Sequence, residues 1–346
     1  MNSATTRVIR IESHGPPEVL VERQIPLPAP GPGEVHVRVE ASGVNFADLV
    51  MRQGLYGSAP PRPYSPGFEV AGTIASAGSG VHDWPPGARV VALMRYGGYA
   101  RDVLVPTRNL FRYPESLTPV QAAAIPVNFL TAWFCLFESA RAREGETVLI
   151  LGAAGGVGTA AVQLAVAHGL RVIGAAGARE KLAFVTDELG AVACVDSHGD
   201  WETEVRDLVG ERGIDVALDP LGGRATASCR RLLAPLGRLV FYGLSQAAPG
   251  KRANWLRAAW AWLRTPRFHP LSFVEPNVGV LGVHLLHLDE KEHMLRPALE
   301  EIFRAVEAGA VRPIVDRAFN LDRGGAVEAH KYIHAHRNIG KIVLKA

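Results

Sequence analysis

The chain has 346 residues, enough for more than one domain with its own core. Hydrophobic residues make up 48% and charged ones 21%; the net charge is only +3 with dispersed arginines, which argues against a nucleic-acid partner. Cys135, Cys194 and Cys229 lie far apart and form no CxxC pair, so no disulfide framework is expected and a reducing, cytoplasmic compartment fits.

The opening stretch "MNSATTRVIRIESHG" has no apolar signal core, so export is not expected. The first third then reads as β-rich. Val35, Val37 and Val39 alternate with His36, Arg38 and Glu40, the two-residue period of a half-buried strand. Short strands follow in "VAGTIASAG" and "ARVVALM", separated by Pro/Gly clusters. From about Val127 the rhythm changes: "VLIL", "RVIGAA", "ACVD", "DVALD" and "RLVFYG" alternate with helix-like segments. That order predicts βαβ units on a doubly wound parallel sheet. Later, "PALEEIFRAVEAGAV" predicts an amphipathic helix ended by Gly309, and "GKIVLKA" a closing strand that returns to the first domain. The fold class is therefore α/β, with residues 1–126 and 285–346 in a β-rich domain and 127–284 in a parallel-sheet domain.

One stretch, Val148–Ala165, lies in an uncharged run from Thr147 to Ala167, long enough to raise a membrane span. Its clustered glycines would weaken a spanning helix. A strand over Val148–Leu151 and a helix over Thr159–His168 fit better. Between them, Ala153-Ala154-Gly155-Gly156-Val157-Gly158 matches the dinucleotide fingerprint with alanine in its first position. Gly155 leaves room for a pyrophosphate and Gly158 lets helix and strand pack closely, while free helix-start amides meet the anion.

The next strand, "RVIGAAGAREK", bears on the cofactor. NAD enzymes usually carry Asp or Glu at its end to hold the ribose 2′-hydroxyl. Here Ala176 or Gly177 stands there, followed by Arg179 and Lys181, two cations able to pair with a 2′-phosphate. NADPH is the expected cofactor.

Several stretches together are specific: "GVNFADLVMRQGLY", "PGFEVAGTI", "NFLTAW", "GAAGGVG", "DPLGG" and "NIGKIVL". Through them the chain resembles, over nearly its whole length, the zinc-free quinone oxidoreductase branch of the medium-chain dehydrogenase/reductase superfamily. The segment between Gly243 and Gly282 is similar to that of vesicle amine transport protein 1 relatives. The resemblance implies a GroES-like catalytic domain, a Rossmann NADPH-binding domain and a homodimer. Zinc-dependent members carry ligands where Asn45 and Phe68 stand and have a cysteine-rich lobe, so no catalytic zinc is expected.

The implied reaction is metal-free hydride transfer from NADPH to a quinone or an α,β-unsaturated carbonyl. By resemblance, Tyr56 donates a hydrogen bond or proton and Asn45 lies at the nicotinamide and substrate end. Asp48 is expected to brace its loop. Thr131, Gly243, Leu244, Asn338 and Lys341 match cofactor contacts. Many relatives have a tyrosine where this chain has Ser197, which weakens the expected phosphate clamp. His330, His334 and His336 were weighed as metal ligands, but no third ligand is identifiable for the His330–His334 pair, and a surface helix is the simpler expectation. Residues 251–268, with Leu256, Ala259, Trp260 and Leu263 on one helical face, are expected to form a lid or packing surface, with contact to an anionic membrane surface as the weaker alternative. Rival functions are an enoyl-thioester reductase of lipid or polyketide synthesis, and a nucleotide-binding, membrane-associated protein with little turnover.

Overall fold

The computed structural model describes residues 4–243, 245, 250, 259–260, 263, 265–288 and 291–346. The valine alternation becomes β3 (Glu34–Val44), in which Val35, Val37 and Val39 are buried and Arg38 is exposed. Before it, β1 (Thr5–Ile11) and β2 (Leu20–Pro26) form an antiparallel pair. After it come helix α1 (Phe46–Gln53) and strands β4 (Glu69–Ala77), β5 (Arg89–Leu93), β6 (Asp102–Pro106) and β7 (Leu110–Phe111). Helix α2 (Pro126–Trp133) leads to the second unit.

There the expected alternation appears as β8 (Thr147–Leu151), α3 (Gly156–Ala167), β9 (Arg171–Ala176), β10 (Ala193–Asp196), β11 (Ile214–Asp219), β12 (Leu233–Phe241) and β13 (Gly279–Gly282). These strands form a six-stranded sheet in the order β10-β9-β8-β11-β12-β13, every pairing parallel. The strand order reverses between β8 and β11. A ligand crevice belongs at that switch point, outside the carboxyl ends of the strands.

The chain then adds helix α4 (Glu292–Glu307), β14 (Val315–Asn320), α5 (Arg323–His334) and β15 (Lys341–Lys345). β15 inserts between β14 and β3 in the first sheet, with Ile342 opposite Val44. The return to the first unit expected from "GKIVLKA" is thus present. Helix α4 ends before Gly309, whose φ of 71° marks the expected stop. Its buried residues Leu295, Leu299 and Ile302 share a core with Val148 and Ile150 of the parallel-sheet unit and with Val91 and Phe111 of the β-rich unit, and Arg296 donates to the Leu110 carbonyl, so this helix packs between the two.

Val148–Ala165 resolves into a strand, a turn and a helix, not a membrane span. A different stretch, Pro119–Ser139, is long and apolar enough to cross a membrane, but 72% of its apolar window is buried inside the protein.

Candidate functional site

β8 is buried along its length, and Gly152, at φ 66°, turns the chain at its end. Helix α3 starts four residues later. A Cβ on Gly158 would fall 2.1 Å from the Gly152 carbonyl oxygen, so only glycine lets helix and strand approach this closely. Ala153 is buried, Gly155 is the N-cap, and no described side chain caps α3. The first-turn amides at Gly156, Val157 and Gly158 have no intrahelical acceptor. An uncapped helix start at a topological switch point is an anion site, and a dinucleotide pyrophosphate fits it.

From this turn a chain of polar contacts runs inward. A Cβ on Gly156 would lie 2.7 Å from Asn128 Nδ2, placing α2 directly against the fingerprint. Asn128 Oδ1 accepts from Lys341 Nζ at 3.4 Å, and Lys341 also donates to Asn45 Oδ1 at 2.6 Å and to Glu69 Oε1. Asn45 Nδ2 donates to Glu69 Oε1 at 3.1 Å, and the Val127 amide donates to Glu69 Oε2 at 2.7 Å. Lys341 is 2% exposed and Glu69 0%, so this ion pair is removed from water and compensated by amide groups. Asn45 and Lys341, far apart in sequence, are therefore brought together. Thr131 is buried one helical turn beyond Asn128.

The C-terminal segment closes on the turn as well. The Gly340 amide donates to the Ala154 carbonyl at 2.8 Å, Gly155 and Gly340 form a parallel bridge, and Asn338 Nδ2 braces the Gly340 carbonyl at 2.8 Å. Gly243 follows β12; a Cβ there would fall 2.9 Å from the Pro220 carbonyl oxygen. Leu244 lies outside the described residues.

Asp48 braces its loop, accepting from the Asn45 amide at 2.8 Å and the Gly67 amide at 2.7 Å. Burial pushes its carboxyl up to about 7 against the pull of those amides. Tyr56 follows Gly54, the left-handed C-cap of α1. Its ring packs by Phe68, with centroids 6.1 Å apart, and its hydroxyl meets His284 Nε2 at 3.1 Å. Burial, then the Asp48 charge, pushes the phenol up to about 12. Tyr56 and Asn45 thus flank the Phe68–Glu69 pair from two sides.

At the outer end, Arg179 is exposed at the start of a short helix, Arg179–Ala183. Two residues on, Lys181 Nζ donates to the His336 carbonyl at 2.7 Å. His198 crowds Gly177, where a Cβ would fall 2.5 Å from the imidazole Cε1. His198 Nδ1 lies 3.3 Å from Asp196 Oδ1 at the end of β10. The sequence reading of this end missed both residues.

His330 and His334 are buried, not on a surface helix face. They flank the Arg52 guanidinium, with Nε–Nδ1 and Nη2–Nε2 contacts of 3.2 and 2.7 Å, and His330 also meets the Tyr99 hydroxyl at 3.2 Å. Burial, then Arg52, holds the His330 ring well below its ordinary value. A guanidinium occupies the place between the two rings. Among the described residues no group of three or more His, Cys, Asp or Glu is placed to hold a metal ion. Of the expected apolar face in 251–268, Trp260 and Leu263 are described and exposed, whereas Leu256 lies outside the described residues.

Glu69, Asn128, His284 and His287 complete the site and were missed. A lone acid within the apolar run of β4 was a usable signal for Glu69, because a buried charge needs a partner. Nothing near His284 in sequence pointed to Tyr56.

Comparison with known proteins agrees with this geometry. Residues 31–115 match the family model described as an alcohol dehydrogenase GroES-like domain, and residues 189–344 one described as a zinc-binding dehydrogenase. The chain is 37% identical over 319 residues to the synaptic vesicle membrane protein VAT-1 homolog of Rattus norvegicus, covering 92% of this chain and 78% of that protein. It is 31% identical to the quinone oxidoreductase of Rattus norvegicus, covering 98% and 97%. A mycobacterial protein solved in complex with NADPH superposes with a TM-score of 0.86 at 28% identity, covering 99% and 100% of the two chains.

Proposed function

We propose a specific activity from one premise: this chain belongs to the medium-chain dehydrogenase/reductase superfamily, in its zinc-free quinone oxidoreductase branch. It is an oxidoreductase that uses NADPH, without metal, to reduce quinones or α,β-unsaturated carbonyls. The observation that carries the reading is an unbroken run of contacts from the helix start to the inner polar cluster. An uncapped helix start at Gly156 leads through Asn128 to Asn45 and Lys341, with Tyr56 presenting a phenol on the far side of Phe68.

When bound at the fingerprint, NADPH would supply a hydride to a carbon whose negative charge delocalises onto oxygen. The α3 amides hold the pyrophosphate, while Thr131, Gly243, Asn338 and the Lys341–Asn45 pair shape the inner end. Arg179 and His198 would hold the 2′-phosphate. Tyr56 donates to the oxygen that gains charge. Asn45 and Phe68 stand where zinc ligands would be needed, so orientation and hydrogen bonding replace Lewis-acid help. A cytoplasmic homodimer completes the proposal.

The test is turnover. Purified protein should oxidise NADPH with 1,2-naphthoquinone faster than NADH, with no loss after chelator treatment. Tyr56→Phe should lower kcat about tenfold or more with little change in the KM for NADPH. Equal rates with both nucleotides would remove the cofactor assignment, and preference for a crotonyl thioester over every quinone would move the substrate class to enoyl thioesters.

A further inference from the structure

Tyr56 and His284 meet from opposite units of the fold. Tyr56 follows α1 on the β-rich side, whereas His284 lies two residues past β13, the edge strand of the parallel sheet. Their hydrogen bond, 3.1 Å from Oη to Nε2, joins the two units. The tyrosine ring is half-buried, and the histidine is exposed. A second pair lies beside it: Ser58 Oγ meets His287 Nε2 at 3.1 Å, and the two imidazoles pack edge-on with centroids 4.3 Å apart. A line of proton-bearing atoms therefore runs from solvent through His284 to the phenol, and it enters the crevice at Tyr56.

Resting on the reductase reading above, we infer that His284 is the positioning residue and proton source behind Tyr56, resupplying the proton that the phenol gives to the reduced acceptor. The acceptor gains a hydride at carbon and a proton at oxygen. That proton leaves Tyr56 Oη, and the O–H bond electrons stay on the phenolate. The phenolate takes a proton from His284 Nε2, and the imidazole recovers one from water. No charge accumulates on the protein over the cycle.

Two physical facts make the resupply necessary. A half-buried phenol pushed up to about 12 forms a costly phenolate at neutral pH, so the step needs a proton at hand. Partial desolvation and then the neighbouring His287 hold His284 below its ordinary value, which favours the uncharged ring near neutrality. An uncharged imidazole can pass a proton from Nε2 while Nδ1 accepts one from water. Among the described residues, the titratable groups facing this pair are His287 beside His284 and Asp48 behind Tyr56.

The experiment compares wild type with His284→Gln, which keeps an amide near the Nε2 position but cannot relay a proton. Rates with NADPH and 1,2-naphthoquinone are measured from about pH 5 to 9. Near neutrality the uncharged ring should sustain turnover by relay, and as pH falls through the His284 range the imidazolium becomes the stronger donor, so wild-type kcat should rise further; His284→Gln should lose that rise and about tenfold in kcat, with its KM for NADPH unchanged. Adding Tyr56→Phe to it should cost little more than Tyr56→Phe alone. In parallel, the His284 imidazole is titrated by NMR in the free protein, where Tyr56→Phe should move its midpoint. A glutamine variant with wild-type kcat and pH profile overturns the inference alone, because it makes the bond a mere tether; an unmoved midpoint overturns it as well. A wild-type protein without turnover on any acceptor overturns the reductase reading and takes this inference with it.

Discussion

At the outer end of the crevice Arg179 and His198 stand exposed on short segments after β9 and β10, the histidine beside the Asp196 carboxylate. At the inner end Lys341 and Glu69 are 2% and 0% exposed and are held by Asn45, Asn128 and a backbone amide. The outer charges are hydrated and cheap to replace, so they can discriminate one ligand from another without the fold depending on them. The inner pair has given up its water, and each partner is needed by the other. It joins α1, β4, α2 and β15, so the same contacts shape the site and fasten its walls.

The largest effect should come from breaking the inner end on one side. Lys341→Met leaves Glu69 buried and uncompensated, and should cost about 3–5 kcal/mol of unfolding free energy in denaturant titrations. Adding Glu69→Gln should recover much of that loss; a single variant of wild-type stability would show that the pair is not fastening the walls. At the outer end, Arg179→Ala should weaken NADPH binding about tenfold in fluorescence titrations while leaving NADH and the melting temperature unchanged. Equal weakening of both nucleotides would place Arg179 elsewhere than the 2′-phosphate.

A pH-dependent effect concerns Asp48, which braces the loop at the inner end. Its carboxyl lies near 7 in the folded protein against an ordinary 3.8, so folding favours its protonated form. The stability this contributes is fully present below about pH 4 and is lost as pH rises through about 7. Asp48→Asn cannot titrate. The difference in denaturation midpoint between wild type and variant should therefore change across that window and stay flat above it.

The contrast also explains what could be read from the residues alone. The glycine turn is contiguous: strand, turn and helix sit within Thr147–Ala167, and their requirements are local, so motif and periodicity carry them. The valine alternation of β3 and the glycine after α4 are local in the same way. The inner end is assembled from residues up to 296 positions apart, as in Lys341 and Asn45, and only family resemblance brought those two to notice. Glu69 is a single acid in an apolar strand, and its partner Lys341 lies 272 positions away, beyond any local pattern. The histidines of α5 misled for a related reason. Chelating spacing is visible in sequence, but the Arg52 guanidinium that fills the place between the rings arrives from α1. The contact of Lys181 with the His336 carbonyl, 155 positions away, is equally invisible to local reading.

The insertion of β15 between β14 and β3 has a consequence for biosynthesis. A nascent chain leaving the ribosome presents Ala41–Val44 with an open row of backbone donors and acceptors until residues 341–345 emerge to cover it. The same late arrival brings Gly340 to the Ala154 carbonyl. Both walls of the crevice therefore lock together when this one strand arrives, and the waiting edge is where a holding chaperone would act.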